Sequence, residues 1–178
     1  MTFEQFQAAV ADIPLHQLAE VEKSKLVFSD EVRKMCEINS CRQYGRTWMC
    51  PPGVGEIAAW KERMFGFKHA FLFSYVGTLE DSFDYESMIR IKAEFGQIIV
   101  KIRRLMEEAN AQFLIFGAGG CQLCEQCTYP DAPCRRPEEA TPSVEACGLF
   151  IAEMAEPCGL NYINGPNTVT YFGLVMAN

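Results

Sequence analysis

Residues 113–134 read Phe-Leu-Ile-Phe-Gly-Ala-Gly-Gly-Cys-Gln-Leu-Cys-Glu-Gln-Cys-Thr-Tyr-Pro-Asp-Ala-Pro-Cys, an apolar run followed by glycines and then by cysteines. The run 113–116 predicts a buried strand. The glycines after it predict a loop whose backbone N–H groups can come close to a ligand. Because open α/β sheets bind ligands beyond the carboxyl ends of their strands, we expect a ligand site in this loop.

The spacing of the cysteines in this loop indicates a metal. Cys121, Cys124 and Cys127 are each separated by two residues, and Cys134 follows. This spacing lets a short loop place three thiolates on different irons of a 4Fe–4S cluster, with Cys134 as a fourth ligand or as a ligand of another cluster. Zinc is the alternative, although structural zinc usually takes two separated cysteine pairs. Disulfides between residues so close in sequence would be strained.

A second cysteine group, formed by Cys36, Cys41 and Cys50, lies upstream. Its spacing is not one that ligand geometry alone predicts, and three buried free cysteines would be the simpler interpretation. Pro51 and Pro52 fix the backbone after Cys50. The segment also supplies aromatic and cationic side chains that we expect beside the thiolates: Tyr44, Trp48, Arg42 and Arg46.

The two groups together resemble a family of cysteine-rich bacterial and archaeal proteins described as predicted metal-binding and otherwise of unknown function. The matching stretches are 32–36, 44–52, 119–135, 142–146 and 168–171. The resemblance spans nearly the whole chain and implies metal binding, but it indicates no particular activity. In the family, position 147 is more often tyrosine, so the resemblance does not imply a ligand there. The cysteines that it implies as ligands are Cys36, Cys41, Cys50, Cys121, Cys124, Cys127 and Cys134.

The number of ligands bears on mechanism, because seven cysteines complete one four-thiolate site and leave three for another. A cluster held by three cysteines has one open iron, which can bind a substrate, water or a sulfur species. Cys147 or Cys158 could fill that position, but Cys147 lies on an apolar stripe with Ile151 and Met154, which favours core packing. We predict that the N-terminal group holds the open cluster, with Tyr44 and Trp48 shaping a pocket beside it.

Composition limits the class of protein. The chain has 178 residues, of which 49% are hydrophobic, so one domain with a real core is expected. It does not open on a secretory signal and has no apolar stretch of membrane-spanning length, so we expect a cytoplasmic protein whose nine cysteines serve as ligands. An anaerobic host would protect such clusters. The net charge of −7 disfavours nucleic acid and suits a basic redox partner. Nothing in the sequence indicates the oligomeric state.

The fold class that we predict is a small single α/β domain over residues 1–178, with metal clusters in loops. A strand at 70–76, a long helix at 84–110 and the strand at 113–116 imply a crossover and hence a mainly parallel sheet of three or more strands flanked by helices. The other predicted elements are a helix from Phe3, a helical turn at 15–21, a strand at 26–28, and a short helix from Ser29. Further elements are helices at 57–65 and 143–156 and a last strand at 168–176.

Three functions remain open at this point. The first is electron transfer or redox chemistry by one or two 4Fe–4S clusters, with a redox partner protein. The second is an enzyme or accessory factor that acts on a small-molecule substrate at an open iron. The third is a zinc-stabilised interaction module. The glycine segment lacks the pattern of a dinucleotide or phosphate loop, and neither histidine, His16 or His69, is placed near the cysteines by its position in the sequence.

Overall fold

Four strands form one sheet, and α-helices pack on both of its faces. The computed structural model describes residues 1–178. The strands are β1 (Gln17–Glu20), β2 (His69–Thr78), β3 (Phe113–Phe116) and β4 (Thr168–Ala177). The α-helices are α1 (Phe3–Ala9), α2 (Asp30–Met35), α3 (Ile57–Phe65), α4 (Tyr85–Glu108) and α5 (Ile151–Ala155). Short 3-10 helices cover Lys23–Lys25, Cys36–Ile38, Glu145–Cys147 and Glu156–Cys158.

The sheet is antiparallel throughout, so the predicted mainly parallel sheet is wrong. The strand order is β1-β2-β4-β3, and every neighbouring pair is antiparallel. β2 and β3 both run opposite to β4, so they point in the same direction, as the crossover through α4 requires. They are not neighbours, because β4 lies between them. Together β2, α4 and β3 form a split β-α-β unit. The prediction that β2 and β3 run in the same direction is correct, and the prediction that they pair with each other is wrong.

One face of the sheet is covered by α1 and α4. Thr2 caps α1 and forms a capping box with Gln5. The ring of Phe6 stacks on Phe71 of β2 at a centroid distance of 4.6 Å. Both side chains are fully buried, which contributes about 1.5–3 kcal/mol each. α4 has apolar residues at helical spacing, and those that are buried on this face are Ile91, Phe95, Ile98, Ile99, Ile102 and Met106.

The other face is covered by α3, α5 and the segments that flank the cysteines. Residues alternate between the two faces along β2, so Ala70 and Leu72 belong to this second core while Phe71 belongs to the first. Trp60 of α3 meets Phe116 edge to face at 5.6 Å. Since Phe116 ends β3, this contact fixes the point from which the C-terminal cysteine loop leaves the sheet.

Two local predictions are wrong and several are confirmed. Residues 15–21 contain strand β1 rather than a helical turn, because Gln17–Glu20 pairs with β2. The predicted helix 143–156 is interrupted at Gly148, whose φ of +81° ends the 3-10 turn before α5 begins. The interruption lets Leu149 form a bridge with Phe28, which is the only pairing found in the predicted strand 26–28. The predicted elements confirmed in place are the helices from Phe3, from Ser29, at 57–65 and at 84–110, and the strands at 70–76, 113–116 and 168–176.

Candidate metal centre

The C-terminal cysteine loop, residues 117–142, leaves and returns to the sheet at one point. Gly117 donates its N–H to the carbonyl of Pro142 at 3.0 Å, and Val144 donates to the carbonyl of Gly117 at 3.0 Å. These two backbone bonds close the base of the loop directly after β3. From α4, Arg103 donates to the carbonyl of Glu138 and to Thr141 Oγ1, each at 3.0 Å. The loop is therefore held at its base and along its returning side.

The glycines before Cys121 permit two close approaches. Gly119 has a φ of +76°, and a Cβ on it would lie 2.5 Å from Nζ of Lys92. A Cβ on Gly120 would lie 2.7 Å from Oε1 of Gln43. Only glycine leaves room for both side chains at this backbone. As a result, an ammonium from α4 and an amide from the N-terminal cysteine segment both contact the chain just before the first cysteine of the loop.

The structure brings together the four cysteines of the loop. They line one small cavity of about 20 Å³ with Trp48, Met49, Arg135 and Arg136, and no carboxylate or imidazole takes part in the lining. All four thiols are half-buried: Cys121, Cys124, Cys127 and Cys134. Although the four cysteines line one cavity, their thiols do not converge on one point. Nowhere do three or more histidine, cysteine or acidic side chains lie close enough together to coordinate a single metal ion.

Two arginines fold the loop around this cavity. Arg135 donates to the carbonyl of Gln126 at 2.8 Å. Arg136 donates to the carbonyl of Leu123 at 3.4 Å and forms an ion pair with Glu139. Both guanidinium groups therefore bind backbone oxygens of the cysteine run itself. Their positive charges lie beside the cysteines of the run and would partly offset the negative charge of thiolates bound to a metal.

The fold makes the thiol of Cys121 a weaker acid. Burial raises the pKa of the Cys121 thiol, and the backbone N–H groups of Leu123 and Thr141 partly offset that increase. Such N–H groups also direct hydrogen bonds at a thiolate once it is formed.

The N-terminal group is positioned by α2 and by the turns that follow it. Ser29 caps α2 by accepting from the N–H of Val32 at 3.4 Å, and Cys36 lies at the carboxyl end of this helix. Cys41 is exposed, whereas Cys50 is only 5% exposed. Burial raises the pKa of the Cys36 thiol to about 11, and the charges of Glu145, Cys41 and Cys50 add to this effect. The three cysteines of the group therefore lie close enough to interact electrostatically.

A buried hydroxyl next to Cys50 lacks a regular hydrogen-bond partner. Thr47 Oγ1 has no partner of good geometry, although it lies near enough to Cys50 to lower the pKa of that thiol. Burial has the larger and opposite effect on the pKa of Cys50. Because an unsatisfied buried hydroxyl costs about 1–3 kcal/mol, a thiolate on Cys50 would give Thr47 the acceptor that it lacks.

Glu145 is a candidate residue that the sequence did not reveal. The 3-10 turn that contains Glu145 packs against α2, which places its carboxylate beside Cys36. The side chain is reached by solvent, yet protein surrounds the carboxylate closely enough that burial raises the pKa of Glu145. More than 100 residues separate Glu145 from Cys36, so their proximity cannot be inferred from the sequence, and the match of 142–146 to the family pattern is the only signal in this segment.

The two cysteine groups meet in space. The charge of Cys121 contributes to the raised pKa of Cys50, and Lys92 reaches Cys50, Gly119 and Glu145. Trp48 also joins the groups, because its Nε1 donates to the carbonyl of Ala132 at 3.0 Å. The Trp48 ring meets Tyr129 edge to face at 4.9 Å. Trp48 thus lines the cavity of the C-terminal cysteines, whereas the sequence led us to expect it in a pocket beside the N-terminal group.

The remaining sequence candidates lie elsewhere. Cys147 is fully buried in the core, and Cys158 is half-buried beside Lys25 and Glu22. The histidines pair away from the cysteines, His69 with Glu20 and His16 with Asn164. The cations whose charges reach Cys36 and Cys50 are Arg33 and Lys92, whereas the predicted Arg42 and Arg46 are exposed.

Comparison with known proteins gives one match. No curated protein and no solved structure matches the chain significantly. None of the helices combines the length and apolar character that a membrane span requires. A family model described as predicted metal-binding protein (DUF2284) matches residues 19–177. The match covers both cysteine groups and the whole sheet except the start of β1, and so the chain belongs to this family of predicted metal-binding proteins.

Proposed function

We propose that this protein binds a 4Fe–4S cluster through the C-terminal cysteine loop and acts in electron transfer or redox chemistry. The observation that carries the proposal is the single cavity lined by Cys121, Cys124, Cys127 and Cys134. Soft thiolate ligands in a run with two residues between them are typical of iron–sulfur proteins. The family match supports metal binding in general, and the identity of the metal is our inference.

The residues around the cavity fit such a group. A cube is larger than the cavity, and the half-buried thiols lie on an irregular loop, where rotation of their side chains outward can make room. Arg135 and Arg136 line the cavity and offset the negative charge of thiolates and cluster. Backbone N–H groups directed at Cys121 would raise the reduction potential, because they stabilise added negative charge.

When bound, the cluster would supply one-electron oxidation and reduction. The protein's own contribution is position and access. Trp48 and Met49 line the cavity and are half-buried, whereas Arg135 and Arg136, which also line it, are exposed. The four thiols thus lie just below the surface, where a redox partner can approach them. The arginines at this surface would favour an acidic patch on that partner locally, although the whole chain is acidic.

A second site at Cys36, Cys41 and Cys50 is favoured by two observations. Thr47 has an unsatisfied hydroxyl beside Cys50, and Glu145 places a carboxylate beside Cys36. Three thiols with one oxygen donor would make a site with a replaceable ligand. This arrangement supports the alternative function, in which a small molecule binds at the position that no cysteine fills. The proximity of Cys50 and Cys121 would place the two sites side by side.

Metal analysis of protein purified without oxygen tests the main proposal. We expect a brown protein with iron and acid-labile sulfide in equal amounts. If Cys124→Ala removes about half of the iron and Cys50→Ala removes the other half, two clusters are present. Cys158→Ala is the matched control, because this half-buried cysteine lies away from both groups and should leave the iron content unchanged. A colourless protein with stoichiometric zinc and no sulfide would overturn the proposal.

Electron paramagnetic resonance tests the alternative. Cyanide added to the reduced protein should shift the signal of a site that has a replaceable ligand and leave a four-cysteine site unchanged. In the Cys50→Ala variant the shifted component should disappear, while it should persist in the Cys124→Ala variant. If cyanide changes nothing in the native protein, small-molecule binding at the N-terminal group is excluded and electron transfer alone remains.

A further inference from the structure

A larger cavity adjoins the cavity of the four cysteines and shares Trp48 and Met49 with it. It has a volume of about 650 Å³ and extends between α3, β3 and the returning side of the cysteine loop. Its apolar surface includes the chain's only two tryptophans, Trp48 and Trp60, together with Phe113. The volume is within the range of about 300–1,000 Å³ that is usual for small-molecule sites. The family description accounts for metal binding and not for this space.

Two cations face this cavity, and neither forms an ion pair, although the more distant charges of Glu107 and Glu139 act on Arg103. The guanidinium of Arg63 lies over the ring of Trp60 at 4.4 Å, and none of its N–H groups forms a hydrogen bond within the protein. Arg103 uses Nη1 and Nη2 for the carbonyl of Glu138 and the hydroxyl of Thr141, which leaves further N–H groups free. Neither arginine forms an ion pair; the ion pairs of the protein involve other residues.

The acidic residues of the lining do not cancel these charges. Asp131 and Glu138 both belong to the lining and are exposed, and Glu138 contacts Arg103 through its backbone carbonyl rather than its carboxylate. In a chain whose net charge is −7, two unpaired guanidinium groups beside aromatic rings form a local exception. A planar guanidinium binds carboxylate or phosphate oxygens in pairs, and an indole face accepts a flat apolar body.

We propose that this cavity binds a small organic oxyanion, a carboxylate or phosphate carried on a flat apolar body, with Arg63 and Arg103 holding the oxyanion. The cavity shares Trp48, Met49, Cys134 and Ala140 with the cavity of the four cysteines. A molecule bound here lies beside Cys134, and the connection to a cluster at that cysteine rests on the proposed function. The binding itself depends only on the arginines and the aromatic rings.

Tryptophan fluorescence and ligand-observed NMR test the proposal on the full chain purified without oxygen. Benzoate and phenyl phosphate are the probes for the two kinds of oxyanion, and benzamide is the neutral molecule of the same shape as benzoate. We expect at least one oxyanion to change the tryptophan emission and to show saturation transfer, with an affinity about tenfold or more above that of benzamide. Which of the two anions binds better identifies the carboxylate or the phosphate as the natural group.

Variants locate the effect. Arg63→Gln should weaken binding of the preferred anion about tenfold, because Arg63 is exposed, makes no hydrogen bond that holds the fold, and lines the cavity. Arg104→Gln is the matched control, since Arg104 is an exposed arginine of α4 outside the lining. Equal affinity for benzoate and benzamide, no binding of any probe, or equal effects of the two variants would overturn the proposal. Iron and sulfide are measured on the same sample, so that loss of the cluster and failure of anion binding are recorded separately.

Discussion

Replacing each of the two tryptophans by phenylalanine should have unequal costs, although both lose one hydrogen bond from Nε1. Trp48 donates to the carbonyl of Ala132 at 3.0 Å, and Ala132 is exposed. In Trp48→Phe water can therefore take over that carbonyl, and the phenyl ring can still contact Tyr129. We expect the free energy of unfolding to fall by about 0.5–1 kcal/mol, the net value of one hydrogen bond that solvent can replace.

Trp60 donates to the carbonyl of Val54 at 2.8 Å, and both residues are 8% exposed. In Trp60→Phe the buried carbonyl loses its partner, which costs about 1–3 kcal/mol. The smaller ring also leaves a void against Phe116, which adds about 1 kcal/mol. The loss at Trp60 should thus exceed the loss at Trp48 by at least about 1 kcal/mol. Urea unfolding followed by far-ultraviolet circular dichroism, on protein freed of metal with a chelator, measures both. Equal losses, or a larger loss at Trp48, would refute the reasoning that access of water to the freed carbonyl decides the cost.

Two further predictions concern stability. Gly119→Ala should lower the melting temperature, because the residue has a φ of +76° and its Cβ would meet Lys92. Gly96→Ala in α4 should raise the melting temperature, because nothing lies within 4 Å of the added Cβ and alanine favours a helix over glycine by about 1 kcal/mol. Differential scanning calorimetry of the two variants checks that the changes have opposite signs. The hydroxyl of Tyr75, and then Arg90, lowers the pKa of Glu94, so this contact stabilises the fold above the ordinary pKa of 4.5 and its contribution is lost as the pH falls through the lowered value. Tyr75→Phe should therefore lower the free energy of unfolding at neutral pH by less than about 1 kcal/mol, because the Glu94 carboxylate is well exposed. In acid the native protein and the variant should be equally stable. A difference in stability that does not depend on pH would contradict this account.

Helices and strands could be predicted from the sequence where residues within the element itself mark it, whereas the pairing of the strands could not. The capping residue Ser29, the periodic apolar residues of α4 and the apolar run of β3 each marked an element correctly. Strand pairing is harder to predict, because it brings together segments that are distant in the sequence. The crossover through α4 correctly implied that β2 and β3 share a direction. No residue of β4 reports that it is inserted between them, since a buried strand has apolar residues whether it is central or adjacent.

A similar division holds for the candidate site. Cysteine spacing brought out the C-terminal loop, because ligand geometry constrains residues that are close in sequence. Glu145, Arg63 and Arg103 were missed, because each reaches the site from a separate helix or turn. The interruption at Gly148 had the same origin: the chain breaks its helix there in order to pair Leu149 with Phe28, a contact between residues more than 100 positions apart.

The insertion of β4 between β2 and β3 also determines when the sheet can form during synthesis. The ribosome completes β2 and β3 before β4 exists, at about 5–20 residues per second, and until then the two strands have facing edges without partners. In the finished sheet β2 and β3 are about 10 Å apart, which is two strand spacings, because β4 lies between them. If they paired with each other before β4 is made, they would be parallel neighbours, which the finished molecule does not have. The base of the cysteine loop at Gly117 has no fixed position during that interval. We therefore expect chains that still lack β4 to expose thiols and apolar edges together, and metal insertion to follow the synthesis of β4.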